Sequence, residues 1–202
     1  MKKILLTFLG IMTVTAFAPQ AHAKLEVGQP APDFTATDTN GVEHSLSDFK
    51  GKNIVLEWSN HECPFVVKHY KPGNMQKLQK QATEDGAIWL TIVSSAPGKQ
   101  GHVTAEAAND IMTNAGALAT AKILDESGEI GQLYGAKTTP HMFVIDKDGV
   151  LAYAGAIDSD SGFDPAGIEG ATNYVVAALD DLSAGKAVQT ASTQPYGCSV
   201  KY

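Results

Sequence analysis

Two apolar, β-branched segments on either side of a helix-forming stretch restrict the fold of this chain more than any other feature. Residues 53–58 and 87–94 are predicted to be buried strands, because near-continuous Val, Ile and Leu is typical of strands covered on both faces. Between them Met75, Leu78 and Ala82 recur at helical spacing. Alternation of strand and helix predicts an α/β fold.

The remaining segments predict a central mixed β-sheet flanked by helices. An N-terminal β-hairpin is expected around the turn at 38–41, since short alternating segments flank it. Further helices are predicted at 104–117, 128–134 and 171–184, and further strands at 122–125, 141–146 and 150–156. The order hairpin, β-α-β-α, closing hairpin and helix predicts helices on both faces of the sheet.

The first 23 residues have the features of a secretory signal peptide. Lys2 and Lys3 precede an apolar run at 4–18, and small residues at Ala21 and Ala23 predict cleavage after Ala23. A retained membrane anchor is the alternative, although the run is short for a span. The mature protein is therefore expected in the periplasm or secreted, with no membrane segment after cleavage.

The predicted mature chain has the size of a single domain. It holds 179 residues, the 202 of the chain less the 23 of the leader. A domain is expected at 24–185, followed by a polar, weakly structured tail at 186–202 that carries Cys198. After removal of Lys2 and Lys3 with the leader, 13 lysines against 22 acidic residues give the mature chain a net charge of −9, which disfavours nucleic acid as a partner. No cofactor is expected.

Cys63 and Cys198 are the only cysteines of the chain. An exported protein meets an oxidising compartment, where two thiols can form a disulfide. Cys63 and Pro64 follow a predicted strand and open a predicted helix, since proline is well tolerated at the first helical position. Free N–H groups and the positive end of the helix dipole stabilise a thiolate there. The pattern favours a reactive Cys63, with an inert buried thiol as the alternative.

Four segments in order resemble the peroxiredoxin-like (AhpC/TSA or redoxin) branch of the thioredoxin-fold superfamily. They are Val-Gly-Gln-Pro-Ala-Pro-Asp-Phe at 27–34, Leu-Ser-Asp-Phe-Lys-Gly-Lys at 46–52, Cys63-Pro64, and Thr-Thr-Pro-His-Met-Phe-Val-Ile-Asp at 138–146. The resemblance implies a thioredoxin-like fold, Cys63 as the redox thiol and Pro140 as a cis-proline facing it. Asn60-His61 and Gly197-Cys198-Ser199 are similar to an exported peroxiredoxin-like subgroup.

The sequence departs from the patterns of typical peroxiredoxins and thioredoxins. Leu56 and Asn60 stand where peroxiredoxins carry a proline and a threonine, and the chain has no arginine to support the thiolate. Val66 replaces the second cysteine of the thioredoxin Cys-x-x-Cys motif. Developing negative charge must then be stabilised by helix N–H groups, Ser59, Asn60 or His61, which disfavours high peroxidase activity.

Candidate residues for proton transfer and resolution lie on either side of Cys63. Glu57, six residues earlier, is a candidate proton shuttle if it is buried, because burial raises the pKa of a carboxylate; a strand-end Glu that reaches solvent is the alternative. His61 is the second candidate. Cys198 is the only intramolecular resolving thiol, with a static disulfide or a free tail thiol as alternatives. His69 is expected at the surface.

The leading hypothesis is an exported thiol oxidoreductase, or antioxidant protein, that reduces a peroxide or a disulfide. Cys63 attacks the substrate, Cys198 resolves the product, Glu57 or His61 assists proton transfer, and a thiol reductant protein regenerates the dithiol. The candidate substrate-binding residues are Asn60, Pro64, Thr139, Pro140 and His141.

Other arrangements and functions remain open at this point. His61, Cys63 and His141 are soft or borderline ligands that suit copper, so a copper-binding or metal-delivery protein is one alternative. A non-catalytic binding module that keeps the fold is another. A homodimer, in which Cys198 of one copy resolves Cys63 of the other, is a further arrangement.

Overall fold

The computed structural model describes residues 25–202, so the predicted signal peptide lies outside the described residues. The strands are β1 (Thr35–Thr37), β2 (Glu43–Ser45), β3 (Ile54–Trp58), β4 (Ile88–Val93), β5 (Ala121–Leu124), β6 (Thr138–Thr139), β7 (His141–Ile145), β8 (Leu151–Gly155) and β9 (Cys198–Ser199). The helices are α1 (Pro64–Tyr70), α2 (Asn74–Glu84), α3 (Ala105–Ala115), α4 (Glu129–Tyr134) and α5 (Tyr174–Ser183). Short 3-10 turns cover Leu46–Phe49 and Pro165–Ile168.

A five-stranded mixed sheet in the order β5-β4-β3-β7-β8 forms the centre of the fold. β3 is parallel to β4 and β4 to β5, whereas β7 runs antiparallel to both β3 and β8. Every residue of β3 and β4 is buried, as the unbroken apolar runs predicted. The α/β class and the central mixed sheet predicted from the sequence are confirmed.

Alternate side chains of β3 enter two separate cores, one on each face of the sheet. Ile54, Leu56 and Trp58 pack into a core that also holds residues of the N-terminal region and of α4. Val55 packs into the second core, which is built with α2 and α5. Because side chains of a strand alternate between faces, Glu57 must point toward the second core. A carboxylate is thus carried into an apolar layer.

The predicted N-terminal hairpin is present as β1 and β2, which pair antiparallel with Thr35 opposite Ser45. The Asp38 carboxylate closes its turn by accepting hydrogen bonds from the backbone N–H groups of Asn40 and Val42. Asp38 also forms an isolated bridge with Ile123, at the β5 edge of the central sheet. The hairpin therefore lies against the first core rather than extending the sheet.

The C-terminal tail differs from the expected weakly structured segment. Ser192 forms a bridge with Ala154, and Lys201 forms one with Ser95. The hydroxyl of Tyr202 donates a hydrogen bond to the carbonyl of Ala136. Between these points β9 pairs with β6. The tail is polar because it lies on the surface, but β-bridges, a hydrogen bond and a strand pairing attach it to the domain at several residues.

Within residues 25–202, none of the helices combines the length and the apolar character needed to cross a membrane.

Candidate active site

Cys63 occupies the N-cap of α1, directly after the strand β3 and a short loop, as the sequence predicted. Pro64 is the first helical residue, and the carbonyl of Cys63 accepts hydrogen bonds from the N–H groups of Val66 and Val67 at 2.9 Å each. The N–H groups of the first turn lack partners inside the helix, so they favour negative charge at this position. The side chain is 0 % exposed.

The Cys198 thiol covers Cys63. Their sulfur atoms lie 2.8 Å apart, within hydrogen-bond distance, and both residues are free thiols. Antiparallel pairing of β6 with β9 places Cys198 opposite Thr139, whose carbonyl oxygen lies 3.0 Å from the sulfur of Cys63. Cys198 is only partly buried. The strand pairing thus brings together two cysteines that are 135 positions apart in sequence.

The two thiols differ in their tendency to ionise. Burial is the largest single effect and raises the pKa of Cys63, but the hydrogen bonds with the Cys198 thiol, with Thr139 and with nearby backbone groups together outweigh it and leave the pKa below its ordinary value. Burial, together with the hydrogen bond and charge of Cys63, raises the pKa of Cys198 to about 11. Cys63 therefore ionises first. Cys198 keeps its proton and donates a hydrogen bond to the Cys63 thiolate.

Removing the Cys198 donor is expected to raise the pKa of Cys63. In Cys198→Ala no side-chain donor faces the thiolate, whereas in Cys198→Ser a hydroxyl takes the place of the thiol. Each variant has Cys63 as its only thiol, so the ultraviolet absorbance of the thiolate reports that residue alone. We expect Cys198→Ala to titrate at higher pH than Cys198→Ser. Equal titration midpoints would show that Cys198 does not stabilise the thiolate.

Glu57 is fully buried, so it does not reach solvent at the end of its strand. Its carboxylate accepts hydrogen bonds from the hydroxyl of Tyr70 (2.9 Å), the indole N–H of Trp89 (2.9 Å), the hydroxyl of Thr91 (3.1 Å) and the side-chain amide of Gln79 (3.2 Å). Burial, followed by the charge of Glu57, raises the pKa of Tyr70 well above its ordinary value, so the phenol keeps its proton. Glu57 thereby ties β3 to α1, α2 and β4.

The contacts of Glu57 are those of a structural carboxylate. All its hydrogen bonds go to α1, α2 and β4, and within residues 25–202 none of them joins Glu57 to Cys63. Its role as a proton shuttle remains a prediction.

Replacing Glu57 by glutamine is expected to lower the free energy of unfolding by about 2 kcal/mol. The amide has the shape of the carboxylate but turns one acceptor into a donor, so buried donors such as Trp89 lose their partner. Urea unfolding measures the loss. Glu84→Gln is the control, because that side chain is 63 % exposed and its pairing with Lys80 contributes little. Equal stability of the two variants would contradict the structural role of Glu57.

The two candidate histidines have different surroundings. His61 is partly buried, and burial followed by the charge of Lys122 lowers its pKa, against the opposing effect of Glu62. His141 is buried, and its Nδ1 accepts a hydrogen bond from the N–H of Lys137 at 3.3 Å. Burial lowers the pKa of His141 to about 4, so it is neutral at physiological pH.

No group of three or more His, Cys, Asp or Glu residues able to hold a metal occurs between residues 25 and 202. The three side chains considered for copper, those of His61, Cys63 and His141, are therefore not gathered into a ligand cluster.

The candidate substrate-binding residues have different positions. The side chain of Asn60 accepts a hydrogen bond from the N–H of Glu62 and donates one to the carbonyl of Gln100, so it shapes the loop before α1. Pro64 is exposed. The Thr139–Pro140 bond is cis, as the resemblance implies. The hydroxyl of Thr139 is buried without a hydrogen-bond partner in the described part of the chain.

A large cleft lies apart from the two thiols. It measures about 1390 Å³ and is lined in part by Tyr134, His141 and Phe143. Neither Cys63 nor Cys198 lines it. His141 thus faces this cleft, whereas the reactive sulfur lies beneath the tail.

Sequence reasoning missed a buried polar cluster beside the site. His69 is 0 % exposed, so the expectation of a surface histidine is wrong. It lies with Lys68 on α1 and contacts Asp158 and Tyr196. In the sequence, adjacent Lys and His residues in a short helix are typical of a solvent-exposed face. The one available signal for this cluster was the position of Tyr196, two residues before Cys198.

A thioredoxin-like fold with a thiol site is defined by three features. These are the strand order, the cysteine at the N-cap of α1, and the cis Thr139–Pro140 bond that lies beside this cysteine. The redoxin family profile matches residues 26–171, so the chain belongs to the redoxin family. This match confirms the fold and the branch that the sequence resemblance implied.

Known proteins similar to this chain include thiol-disulfide oxidoreductases. The chain is 29 % identical over 141 residues to the thiol-disulfide oxidoreductase ResA of Geobacillus kaustophilus, covering 64 % of this chain and 80 % of that protein. It is 30 % identical over 136 residues to the thioredoxin-like protein YneN of Bacillus subtilis, covering 65 % and 75 %. A hypothetical protein from Sinorhizobium meliloti superposes with a TM-score of 0.75 at 25 % identity, covering 89 % and 96 %.

Proposed function

We propose that this protein is an exported thiol–disulfide oxidoreductase in which Cys63 and Cys198 alternate between a dithiol and a disulfide. The observation that carries the proposal is the 2.8 Å separation of the two sulfur atoms at the N-cap of α1. Membership of the redoxin family and similarity to a protein named thiol-disulfide oxidoreductase support it. Export is inferred from the leader sequence at 1–23, which precedes the domain at 24–185 and the tail at 186–202.

Reduction of a substrate disulfide proceeds in two exchange steps. The Cys63 thiolate attacks one sulfur, forms a mixed disulfide and releases the first substrate thiolate. Cys198 then loses its proton to that thiolate or to water and attacks the sulfur of Cys63, which releases the second substrate thiolate. The substrate gains two electrons, and the cysteine pair becomes a disulfide. Because Cys198 lies on the same chain, resolution needs no second copy.

Regeneration begins at Cys198. In the structure Cys63 is fully buried and Cys198 is partly exposed, so a reductant thiolate reaches the sulfur of Cys198. That attack forms a mixed disulfide with the reductant and expels Cys63 as a thiolate. Since a better stabilised thiolate departs faster, the position of Cys63 at the N-cap of α1 favours this direction. A second thiol of the reductant protein then releases Cys198.

Peroxide is a second candidate substrate, and the unpartnered hydroxyl of Thr139 favours it. The carbonyl of this residue touches the sulfur of Cys63, and its buried side chain has a free donor. The Cys63 thiolate would take one oxygen of the peroxide to form a sulfenic acid, with water or an alcohol as the leaving product. Attack by Cys198 would then form the disulfide and release water.

Mixing the fully reduced protein with either oxidised glutathione or hydrogen peroxide tests these proposals. Acid-quenched samples, alkylated and weighed by mass spectrometry, distinguish the dithiol, the glutathione adduct on Cys63 and the Cys63–Cys198 disulfide. We expect the disulfide to form with oxidised glutathione and to be reopened by a reduced dithiol protein. Faster formation with peroxide would favour the antioxidant role. Failure of both oxidants to convert the two thiols would exclude the proposed function.

A further inference from the structure

A buried cluster of charged and polar side chains joins α1 to the C-terminal tail. Lys68 and His69 of α1 are 1 % and 0 % exposed. Asp158 is also buried and follows β8, and Asp160 lies two residues beyond it. The fifth member, Tyr196, belongs to the tail and precedes Cys198 by two residues. None of these residues takes part in the exchange steps above.

The hydrogen bonds of the cluster run in one direction toward Asp158. The side-chain amide of Asn74 donates to Nδ1 of His69 at 2.9 Å, so the ring proton lies on Nε2. Nε2 of His69 lies 3.3 Å from the hydroxyl of Tyr196 and donates to it. The hydroxyl of Tyr196 in turn donates to Oδ1 of Asp158 at 2.5 Å. Burial, followed by the charge of Lys68, lowers the pKa of His69 to about 4, which keeps the imidazole neutral.

The ammonium group of Lys68 completes the cluster. It donates to the carbonyl oxygen of Asp160 at 2.6 Å and to the carboxylate of Asp160 at 3.0 Å, and it lies 3.9 Å from Asp158. It also lies 5.4 Å from the centre of the Tyr196 ring, within range of a cation–π interaction. The ring of Phe65 also lies near Tyr196, with 6.0 Å between the ring centres.

Charges buried in this way contribute little net stability. Removing the Lys68 ammonium and the Asp158 carboxylate from water is costly, and an apolar cluster of equal volume is often as stable. What a directional network provides is a single arrangement of the groups it binds. Here the member that belongs to the tail is Tyr196, whereas the other members lie on α1 and on the loop after β8.

We propose that the Lys68–Asp158–His69 cluster anchors Tyr196 and that Tyr196 is the positioning residue that holds Cys198 over Cys63. Only Gly197 separates the two tail residues, so the anchor lies within about 7 Å of chain from the resolving thiol. The effect of this anchor on resolution by Cys198 rests on the dithiol function proposed above. Release of the anchor uncovers Cys63 and withdraws Cys198.

Tyr196→Phe tests the anchor, since it removes only the hydroxyl. In a Cys198→Ser background Cys63 is the sole thiol, and because it is buried its alkylation by iodoacetamide requires the tail to open. Loss of a hydrogen bond to a buried carboxylate is expected to accelerate alkylation about tenfold, after correction for the thiolate fraction. Asp158→Asn is a second variant and is expected to act in the same direction.

Tyr134→Phe is the matched control, because its hydroxyl donates to the carbonyl of Pro32 and not to a member of the cluster. Its alkylation rate should equal that of the parent. With both cysteines present, Tyr196→Phe should slow disulfide closure about tenfold without slowing the capture of oxidised glutathione by Cys63, whereas general destabilisation would affect both steps.

Unchanged alkylation in folded Tyr196→Phe and Asp158→Asn would overturn the anchor. Alkylation does not depend on turnover, so this result is separate from the test of the function. If the wild-type protein reacts with neither oxidant while Tyr196→Phe still exposes Cys63, the anchor stands and the proposed function falls.

Discussion

The Cys63→Ser variant is expected to lose at least about a thousandfold in the rate of disulfide reduction, because no other side chain replaces the nucleophile. Serine is nearly isosteric, so the packing under the tail is preserved. Its hydroxyl has a pKa far above that of a thiol and does not attack sulfur at neutral pH. Cys198 is left as the only thiol, and burial, the largest cause of its raised pKa, remains in this variant and keeps it a weak nucleophile. The rate of reduced glutathione release measures the effect.

Cys198→Ser is the control that separates attack from resolution. It keeps Cys63 and a hydroxyl donor facing it, so the first exchange step should proceed and stop at the mixed disulfide. Mass spectrometry would then find one glutathione bound to Cys63. Substantial turnover in Cys63→Ser, or an adduct on Cys198 of that variant forming at the wild-type rate, would contradict the assignment of Cys63 as the nucleophile.

The Gly197→Ala variant is expected to form the Cys63–Cys198 disulfide about a hundredfold more slowly. Gly197 has a φ of +128°, which L side chains rarely adopt. A Cβ at this position would lie 2.1 Å from the carbonyl oxygen of Thr139, a backbone atom fixed by the pairing of β6 with β9. Because neither atom can move without breaking that pairing, the tail must leave its position, at a cost of about 3 kcal/mol.

Gly185→Ala is the matched control for Gly197→Ala. Gly185 also has a positive φ, +68°, but a Cβ there would meet no atom of residues 25–202 within 4 Å. It should share the backbone strain and leave the rate of disulfide closure within about twofold of wild type. Quenched alkylation after addition of oxidised glutathione provides both rates. Equal rates for the two variants would show that the β6–β9 pairing does not control closure.

Local features of the sequence were sufficient to predict the sheet and the position of Cys63. The apolar runs of β3 and β4 and the helical spacing in α2 depend on residues close in sequence. Because both strands are buried on both faces, their sequences are almost continuously apolar and are easy to recognise as strands. The N-cap position of Cys63 follows from Pro64, whose ring suits the first helical turn. The redoxin resemblance drew on the same short segments.

The sequence could not show whether Glu57 is buried or reaches solvent at the end of its strand. Burial of a carboxylate is favourable only when donors surround it, and those donors come from three other elements. For the same reason His69 looked like a surface residue, because the partners that make its burial tolerable lie far away in the chain at Asp158 and Tyr196. Polar burial is a property of several distant segments together and leaves no periodic pattern.

By itself, the sequence determined the fold class, the redoxin resemblance and the placement of a cysteine at a helix start, since these depend on short-range periodicity and on one proline. The tertiary structure alone decided that Cys198 covers Cys63. That contact depends on the two-residue pairing of Thr139 with Cys198, on the close approach of Gly197 and on the anchor at Tyr196. Single contacts across 135 positions are selected by the shape of the folded domain, which no local pattern in a polar tail can encode.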